Sequence, residues 1–205
     1  MEAGRLDPNH NITLAGENQA ALVGDILGDA FCHDPVLNWA LPKGQGYADL
    51  FSSSAKSQYL KHNKVFLNSA HTGAAMWLPP GIGSTTPTSF TQILKLIPMA
   101  MKHGFSALKR FGDLQAHFAA HHPKEDHYYL MAIGARQDHQ GQGIGSALLK
   151  HALIEINETG HIAYLESSNK ANVPLYQRHG FETFHQEAIP GGGPMIWFML
   201  RQPQT

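Results

Sequence analysis

Apolar residues between Glu17 and Phe31 recur at Ala20, Leu22, Val23, Ile26, Leu27, Ala30 and Phe31. That spacing predicts a helix with one buried face. His33-Asp34-Pro35 is expected to end it, because a residue before proline avoids the helical region. A second helix is expected over about Gly46 to Lys61. Val65 to Asn68 and Gly73 to Leu78 are short apolar runs that read as two strands joined by a turn at Ser69 to Thr72. Pro79-Pro80-Gly81 closes that pair. Gly83 to Pro87 reads as a loop. Phe90 to about Phe111 and Asp113 to His121 read as helices, with breaks near Pro98 and Gly104.

The pattern is sharper towards the C-terminus. Tyr128 to Ala135 (YYLMAIGA) is a strand of aromatic and aliphatic residues. Gly143 to about Thr159 is a helix whose stripe runs through Ile144, Ala147, Leu148, His151, Ala152 and Ile156. Ile162 to Ser167 is a strand with the look of a buried one. Val173 to His179 is a short helix stopped by Gly180, a residue suited to the left-handed cap position. Phe181 to Glu187 and Met195 to Leu200 form two last strands around a turn at Pro190 to Pro194. The order is strand, glycine-rich loop, helix, strand, helix, strand, strand: a βαβ unit with an extension that ends in a hairpin.

Composition narrows the classes. A chain of 205 residues with 42% hydrophobic and 15% charged residues is long and apolar enough to bury a core. A formal net charge of −1 supplies no field that would draw it to nucleic acid or an anionic membrane. Cys32 is the only cysteine, which excludes an intrachain disulfide and a cysteine-built zinc site. The first residues lack the basic start and apolar run of a signal peptide. The apolar stretch from Ile93 to Met101 is interrupted by Lys95 and Pro98, so no segment reads as a membrane span. A soluble cytoplasmic protein is expected.

The loop Gln140-Gly141-Gln142-Gly143-Ile144-Gly145-Ser146 lies between a strand and a helix. Alternating glycines there let backbone approach a ligand and turn several N–H groups one way. With the helix dipole behind them, such donors suit a phosphate. An ordinary flexible turn is the plainer alternative. No lysine follows the glycines, so this is not a nucleoside triphosphate loop. A dinucleotide fingerprint would need a third glycine at Ser146; Glu166 stands near the place of its ribose acid. That fold also needs further parallel strands, and the chain ends in a hairpin instead.

What remains is [QR]-x-x-G-x-[GA], carried by Gln140, Gly143 and Gly145. Here the sequence resembles the GNAT acetyltransferase superfamily, and within it the puromycin N-acetyltransferase-like branch. The likeness runs from about His127 to Arg201, through YLMAIGARQDHQGQGIGSALL, AYLESS, NVPLYQRHGF and PMIWFML. Weaker echoes lie in AFCHDPVLNW and AAMWLPPG.

The resemblance implies an α/β GNAT fold: a mixed, mostly antiparallel sheet whose central strands splay apart, flanked by helices. A single domain over 1–205 is expected. Residues 1–82 would give the first helices and strands, 83–126 a helical insertion, and 127–205 the acetyl-CoA-binding core and C-terminal hairpin. The resemblance also implies acetyl-CoA as cosubstrate, with its pyrophosphate on the amides of Gly141, Gln142, Gly143, Ile144, Gly145 and Ser146. Its pantetheine arm would lie along Ile133, Gly134 and Ala135, with Asn172 beside it. Gly134 could mark a bulge that parts the strands. Relatives often have valine at the place of Ala135 and proline at that of Gln137.

By the same resemblance Tyr176 is the general acid for the departing thiolate, a role its protonated phenol suits; it could instead only pack the helix. Glu166, at the end of its strand, is a candidate base for the attacking amine, or else a structural carboxylate. The implied reaction is acetyl transfer to a primary amine of a small molecule, in a monomer or homodimer. The closing strand is a candidate edge for pairing with a partner.

An acyl-CoA sensor without turnover and a metal-binding protein using His117, His121 and His122 are the other readings. For the latter, no HExxH arrangement or third ligand is visible, and no metal site is assigned; a solvated helix face is expected. Cys32 is expected to be a small buried residue. Phe105, Phe111 and Phe118 are expected as a core stripe. Trp39 and Trp77 are expected either in an acceptor pocket or in the core.

Overall fold

The structure, a computed structural model, describes residues 9–41, 46–82 and 105–204. Its strands are β1 (Ile12–Leu14), β2 (Val65–Asn68), β3 (Gly73–Leu78), β4 (His127–Ala135), β5 (Ile162–Ser167), β6 (Glu182–Ala188) and β7 (Met195–Arg201). They form one sheet in the order β1-β2-β3-β4-β5-β7-β6. Only the β4–β5 pair is parallel, so the sheet is mixed and mostly antiparallel, as expected. β1 and β6 are its edges. The closing strand, β7, lies between β5 and β6, so it is not the open edge that the sequence suggested.

The helices are α1 (Ala20–Ala30), α2 (Pro35–Ala40), α3 (Tyr47–Ser54), α4 (Phe105–His121), α5 (Ile144–Thr159) and α6 (Val173–Gln177). Among the described residues none is long and apolar enough to cross a membrane. α1 stops at Ala30, and Asp34-Pro35 starts a new helix rather than merely ending the old one. The Asp34 carboxylate accepts from the Val36 and Leu37 amides at 3.0 and 2.9 Å, with proline in the first turn, where no N–H is needed. The second expected helix is regular only to Ser54. It continues as a wider π turn over Ala55–Tyr59 and a 3-10 turn over Leu60–His62. α4 runs unbroken through Gly112, where a break had been expected; the expected breaks at Pro98 and Gly104 lie outside the described residues.

Both sheet faces are covered. Ala74, Met76 and Leu78 of β3 pack with α1 and α3, whereas Ala75 and Trp77 pack with α5. This two-sided burial is why Gly73–Leu78 is apolar throughout and does not alternate. A third cluster joins Leu114 of α4 to Tyr164, Ile196 and Phe198. Trp77 is core, at 1% exposure. Phe111 and Phe118 pack against two different clusters instead of forming a single stripe. Nothing is described of the Phe105 side chain. Cys32 is only half-buried, which corrects the expectation of a buried residue.

One irregularity organises the site. Along β4, Leu130 pairs with Trp77 and Ala132 with Met76, so Met131 is an extra residue. Tyr128 and Leu130 face α5, but Ala132 faces α1, because the bulge inverts the facing of the strand. The expected bulge at Gly134 is therefore misplaced by three positions.

Candidate active site

Parallel pairing of β4 with β5 covers His127–Leu130 against Ile162–Leu165 and goes no further. Past that point β4 stays with β3, while Glu166 and Ser167 pair with β7. The β5-facing backbone groups of Met131 to Ala135 therefore have no strand partner, and such groups need one from elsewhere. A cleft of about 490 Å³ opens there, lined by Ile133, Gly134 and Ala135 and, across it, by Asn172 and Tyr176. Gly134 is required by packing: a Cβ on it would stand 2.6 Å from the Ala30 Cβ of α1.

The cleft continues to the glycine loop. Gly141 and Gly143 have φ of 77° and 81°, a conformation that side-chain-bearing residues rarely adopt. The Ala147 amide donates to the Gly143 carbonyl at 3.0 Å, at the start of α5. The amides of Ile144, Gly145 and Ser146 precede that bond and carry no helical one, so they are donors at the positive end of a sixteen-residue helix. Arg178 and His139 line the same cleft. The loop is held from below, where the Gln137 amide donates to Asp29 of α1 at 2.8 Å. Gln140 and Gly141 line the cleft with Gly143, Ile144, Gly145 and Ser146. Gln142 turns aside, accepting from Asn9 at 3.2 Å and donating to the Asp138 carbonyl at 3.3 Å. The Ser146 hydroxyl is engaged too, 2.9 Å from His179 Nε2, whose Nδ1 faces the Leu175 carbonyl at 2.8 Å.

Where the strands part, a small cavity of about 30 Å³ has Glu166 and Tyr176 among its walls. The structure thus brings together two candidates separated by ten positions on different elements. Burial first, and then Asp34, raises the Tyr176 phenol well above its ordinary value, so it is protonated at neutral pH. Asp34 is buried, and its other oxygen accepts a short hydrogen bond from Ser168 at the end of β5. Burial raises its carboxyl, while the Ser168, Leu37 and Val36 donors oppose the rise.

Glu166 has a side-chain exposure of 4%, and its Oε1 is 3.6 Å from His122 Nδ1. Burial first, with the Glu166 charge next, holds the phenols of Tyr59, Tyr129 and Tyr164 above their usual range. His122 Nε2 lies 2.9 Å from His127 Nε2, and His127 Nδ1 lies 2.6 Å from the Glu125 carbonyl. That carbonyl takes the Nδ1 proton of His127, so its Nε2 accepts from His122. The His122 Nδ1 lone pair then faces Glu166 Oε1 at 3.6 Å, an approach longer than a hydrogen bond. The chain of groups leads from the cavity outwards.

Sequence reasoning missed Asp34, His127, Tyr129 and Tyr164 as neighbours of the site, and considered His122 only as a metal ligand. No local spacing links them, because they meet only once β4, β5, α2 and α4 are assembled. The expectation of a solvated face for His117 and His121 is also overturned, since His117 is 7% exposed and His121 part-buried. Trp39 lies under Arg110, whose guanidinium is 5.7 Å from the ring centroid.

Residues 102–183 match the family model of the acetyltransferase (GNAT) domain. That segment matches the GNAT acetyltransferase superfamily, the one the sequence resembles. The chain is 34% identical over 90 residues to mycothiol acetyltransferase of Streptomyces coelicolor, a match covering 42% of this chain and 29% of that protein. The curated relatives that it matches are much longer; it spans between 14% and 29% of their length. Among solved structures, a histone acetyltransferase HPA2 and related acetyltransferase from Corynebacterium glutamicum superposes with a TM-score of 0.70 at 23% identity, covering 95% of this chain and 97% of that one. Arylalkylamine N-acetyltransferase 2 from Aedes aegypti does so with a TM-score of 0.63 at 15% identity, covering 95% and 99%. These likenesses extend the GNAT fold over nearly the whole chain, including the N-terminal helices beyond the family match.

Proposed function

We propose that the chain transfers an acetyl group from acetyl-CoA to a primary amine of a small molecule, by direct attack within a ternary complex. The observation that carries this is the shared cavity at the parting of β4 and β5, with a buried carboxylate and a protonated phenol in its walls. The open backbone edge of Ile133 to Ala135 suits the amides of a pantetheine arm. The amides of Gly141 and of Gly143 to Ser146 suit a pyrophosphate, with Arg178 beside them. Acetyl-CoA supplies an activated acyl group on a thiol leaving group.

The residues then divide the proton traffic. Glu166 takes one proton from the ammonium, whose freed lone pair forms the new C–N bond as the C–S bond breaks; the second N–H proton, acidic once that bond forms, returns to the oxygen of Tyr176 after it has protonated the sulfur. Tyr176 gives its phenolic proton to the leaving sulfur, which departs as a neutral thiol. His122 and His127 lead the proton on Glu166 outwards. Asn172, at the N-terminal cap of α6, sits where it can orient the arm. The enclosure around Glu166 by Tyr59, Tyr129 and Tyr164 favours a compact acceptor with apolar surface near its amine.

The test is a thiol-release screen of purified protein with acetyl-CoA against arylalkylamines, polyamines, agmatine and puromycin-like aminonucleosides. Amine-dependent thiol release that falls in Tyr176→Phe supports the reading. Micromolar binding of acetyl-CoA without release by any amine would instead favour a non-catalytic acyl-CoA sensor.

A further inference from the structure

Between α4 and β6, residues that the acetyl-transfer reading does not use converge on one point. Glu187 Oε2 lies 3.9 Å from His117 Nδ1 and 3.5 Å from His121 Nε2. The ligand-capable atoms of these three residues all lie within 4.8 Å of one another. His185 Nε2 is 3.7 Å from the same carboxylate oxygen. These separations are too long for hydrogen bonds. They are close to the edge of a tetrahedron around an ion with bonds of about 2.0–2.1 Å, an edge of roughly 3.4 Å.

The surroundings organise the donors. His117 and His121 are one turn apart on α4 and project from one face. His121 Nδ1 stands 3.0 Å from the His117 carbonyl, which takes its proton and leaves the Nε2 lone pair turned to Glu187. On β6, Thr183 pairs with Met199 but His185 pairs with Phe198, so Phe184 is an extra residue. That bulge turns His185 and Glu187 onto the face of Phe198 and Ile196, which α4 covers. Phe198 packs against the rings of His117, His121 and His185 and walls the cluster from beneath. His185 Nε2 is buried without a hydrogen-bond partner.

We infer that His117, His121 and Glu187 form a binding site for a divalent transition-metal ion, zinc by the chemistry of its ligands, which clamps α4 to β6. Two imidazoles and one carboxylate suit Zn2+, Co2+ or Ni2+, whereas Mg2+ and Ca2+ want oxygen ligands throughout. His185 is stacked on His121 with 4.5 Å between centroids and 11° between planes. Its lone pair therefore runs alongside that of His121, and the fourth position falls to water, or to His185 after a side-chain rotation. The inference stands apart from acetyl transfer, though it bears on it. His122 follows His121 directly, so an ion here holds the helix end that brings His122 to Glu166.

The experiment uses full-length protein without a polyhistidine tag, stripped with chelator and titrated with Zn2+ by calorimetry and with Co2+ by absorbance. One equivalent should bind, Co2+ should give the intense visible bands of a four-coordinate site, and saturating Zn2+ should raise Tm by roughly 5–10 °C. Glu187→Gln keeps the shape of a half-exposed side chain and should weaken binding at least tenfold, as should His121→Ala. Absence of stoichiometric binding to the wild type overturns the inference. So does binding of equal strength in both variants, which would locate the ion on other histidines of this 14-histidine chain.

Discussion

The two sides of β5 solve different problems with different materials. Towards β4 and α5, the cleft is walled largely by backbone: an unpaired strand edge, glycines at positive φ and amides at the start of a helix. Towards α4 and β6, the surface is built from side chains, among them Glu166, Tyr129, Tyr164 and five histidines, brought together from four elements. A backbone site tolerates many sequences and recognises what all its ligands share. A side-chain site is specific to this chain, and each group in it depends on neighbours that titrate. The first arrangement fits a common cosubstrate; the second fits a particular acceptor and the handling of its proton.

The largest expected effect tests the side-chain half. Glu166→Gln preserves shape and removes the base, so kcat/KM for the amine should fall on the order of 10²–10³-fold while acetyl-CoA binding stays within about twofold. A loss under about threefold would move the base elsewhere. Tyr176→Phe, in the same cavity, should lower kcat by on the order of 10²-fold with little change in either KM. If Tyr176 only packs α6 against the sheet, the variant should instead leave kcat intact.

These two residues also show what the sequence could reveal. Tyr176 and Glu166 could be proposed from the sequence because the resemblance to GNAT acetyltransferases runs through AYLESS and NVPLYQRHGF, where they stand. The splay was expected too, but its cause was read from the wrong residue. Gly134 suggested a bulge, whereas the extra residue is Met131. A bulge is a property of register against β3, and nothing in YYLMAIGA encodes which residue faces Trp77. Gly134 answers a different demand, the approach of Ala30. Likewise His117-x-x-x-His121 was visible as a spacing, but Glu187 and His185 lie more than sixty residues later and arrive only through the β6 bulge. Asp34 was read as a stop, although the same Asp-Pro pair is a good start for the helix that follows.

The backbone half is tested by the glycines. Gly134→Ala would place a Cβ 2.6 Å from that of Ala30, a contact between two small groups on rigid elements. It should destabilise by about 1–3 kcal/mol, measured as a lower Tm, and Ala30→Gly in the same chain should restore most of the loss. Gly143→Ala forces a left-handed φ on a side-chain-bearing residue, at about 1–2 kcal/mol, and points its Cβ at His10 Nε2, 3.0 Å away. The expected outcome is a rise of about tenfold in the KM for acetyl-CoA, with kcat towards the amine nearly unchanged. A fall in kcat without a KM effect would show that the loop does more than hold phosphate.

The smallest effect separates the halves by pH. Burial first holds the His127 imidazole below its ordinary value, against the raising influence of the Glu125 carbonyl. His122 adds to the lowering, while Glu166 and Asp126 oppose it. The unfolded chain therefore takes up this proton near pH 6.5, before the folded chain does. Stability from this residue is complete above that pH and is lost as pH falls through the lower, folded value. Because the ring is partly exposed, screening keeps the effect small, about 1–2 °C in Tm between pH 7.5 and 5.5. With chelator present, His127→Gln should lose that much less of its Tm over the interval than the wild type. The same substitution should also alter the acidic limb of the kcat/KM profile, since it interrupts the path from Glu166 through His122. A flatter stability curve with an unchanged activity profile would make His127 a packing residue and leave His122 as the last group on the way out.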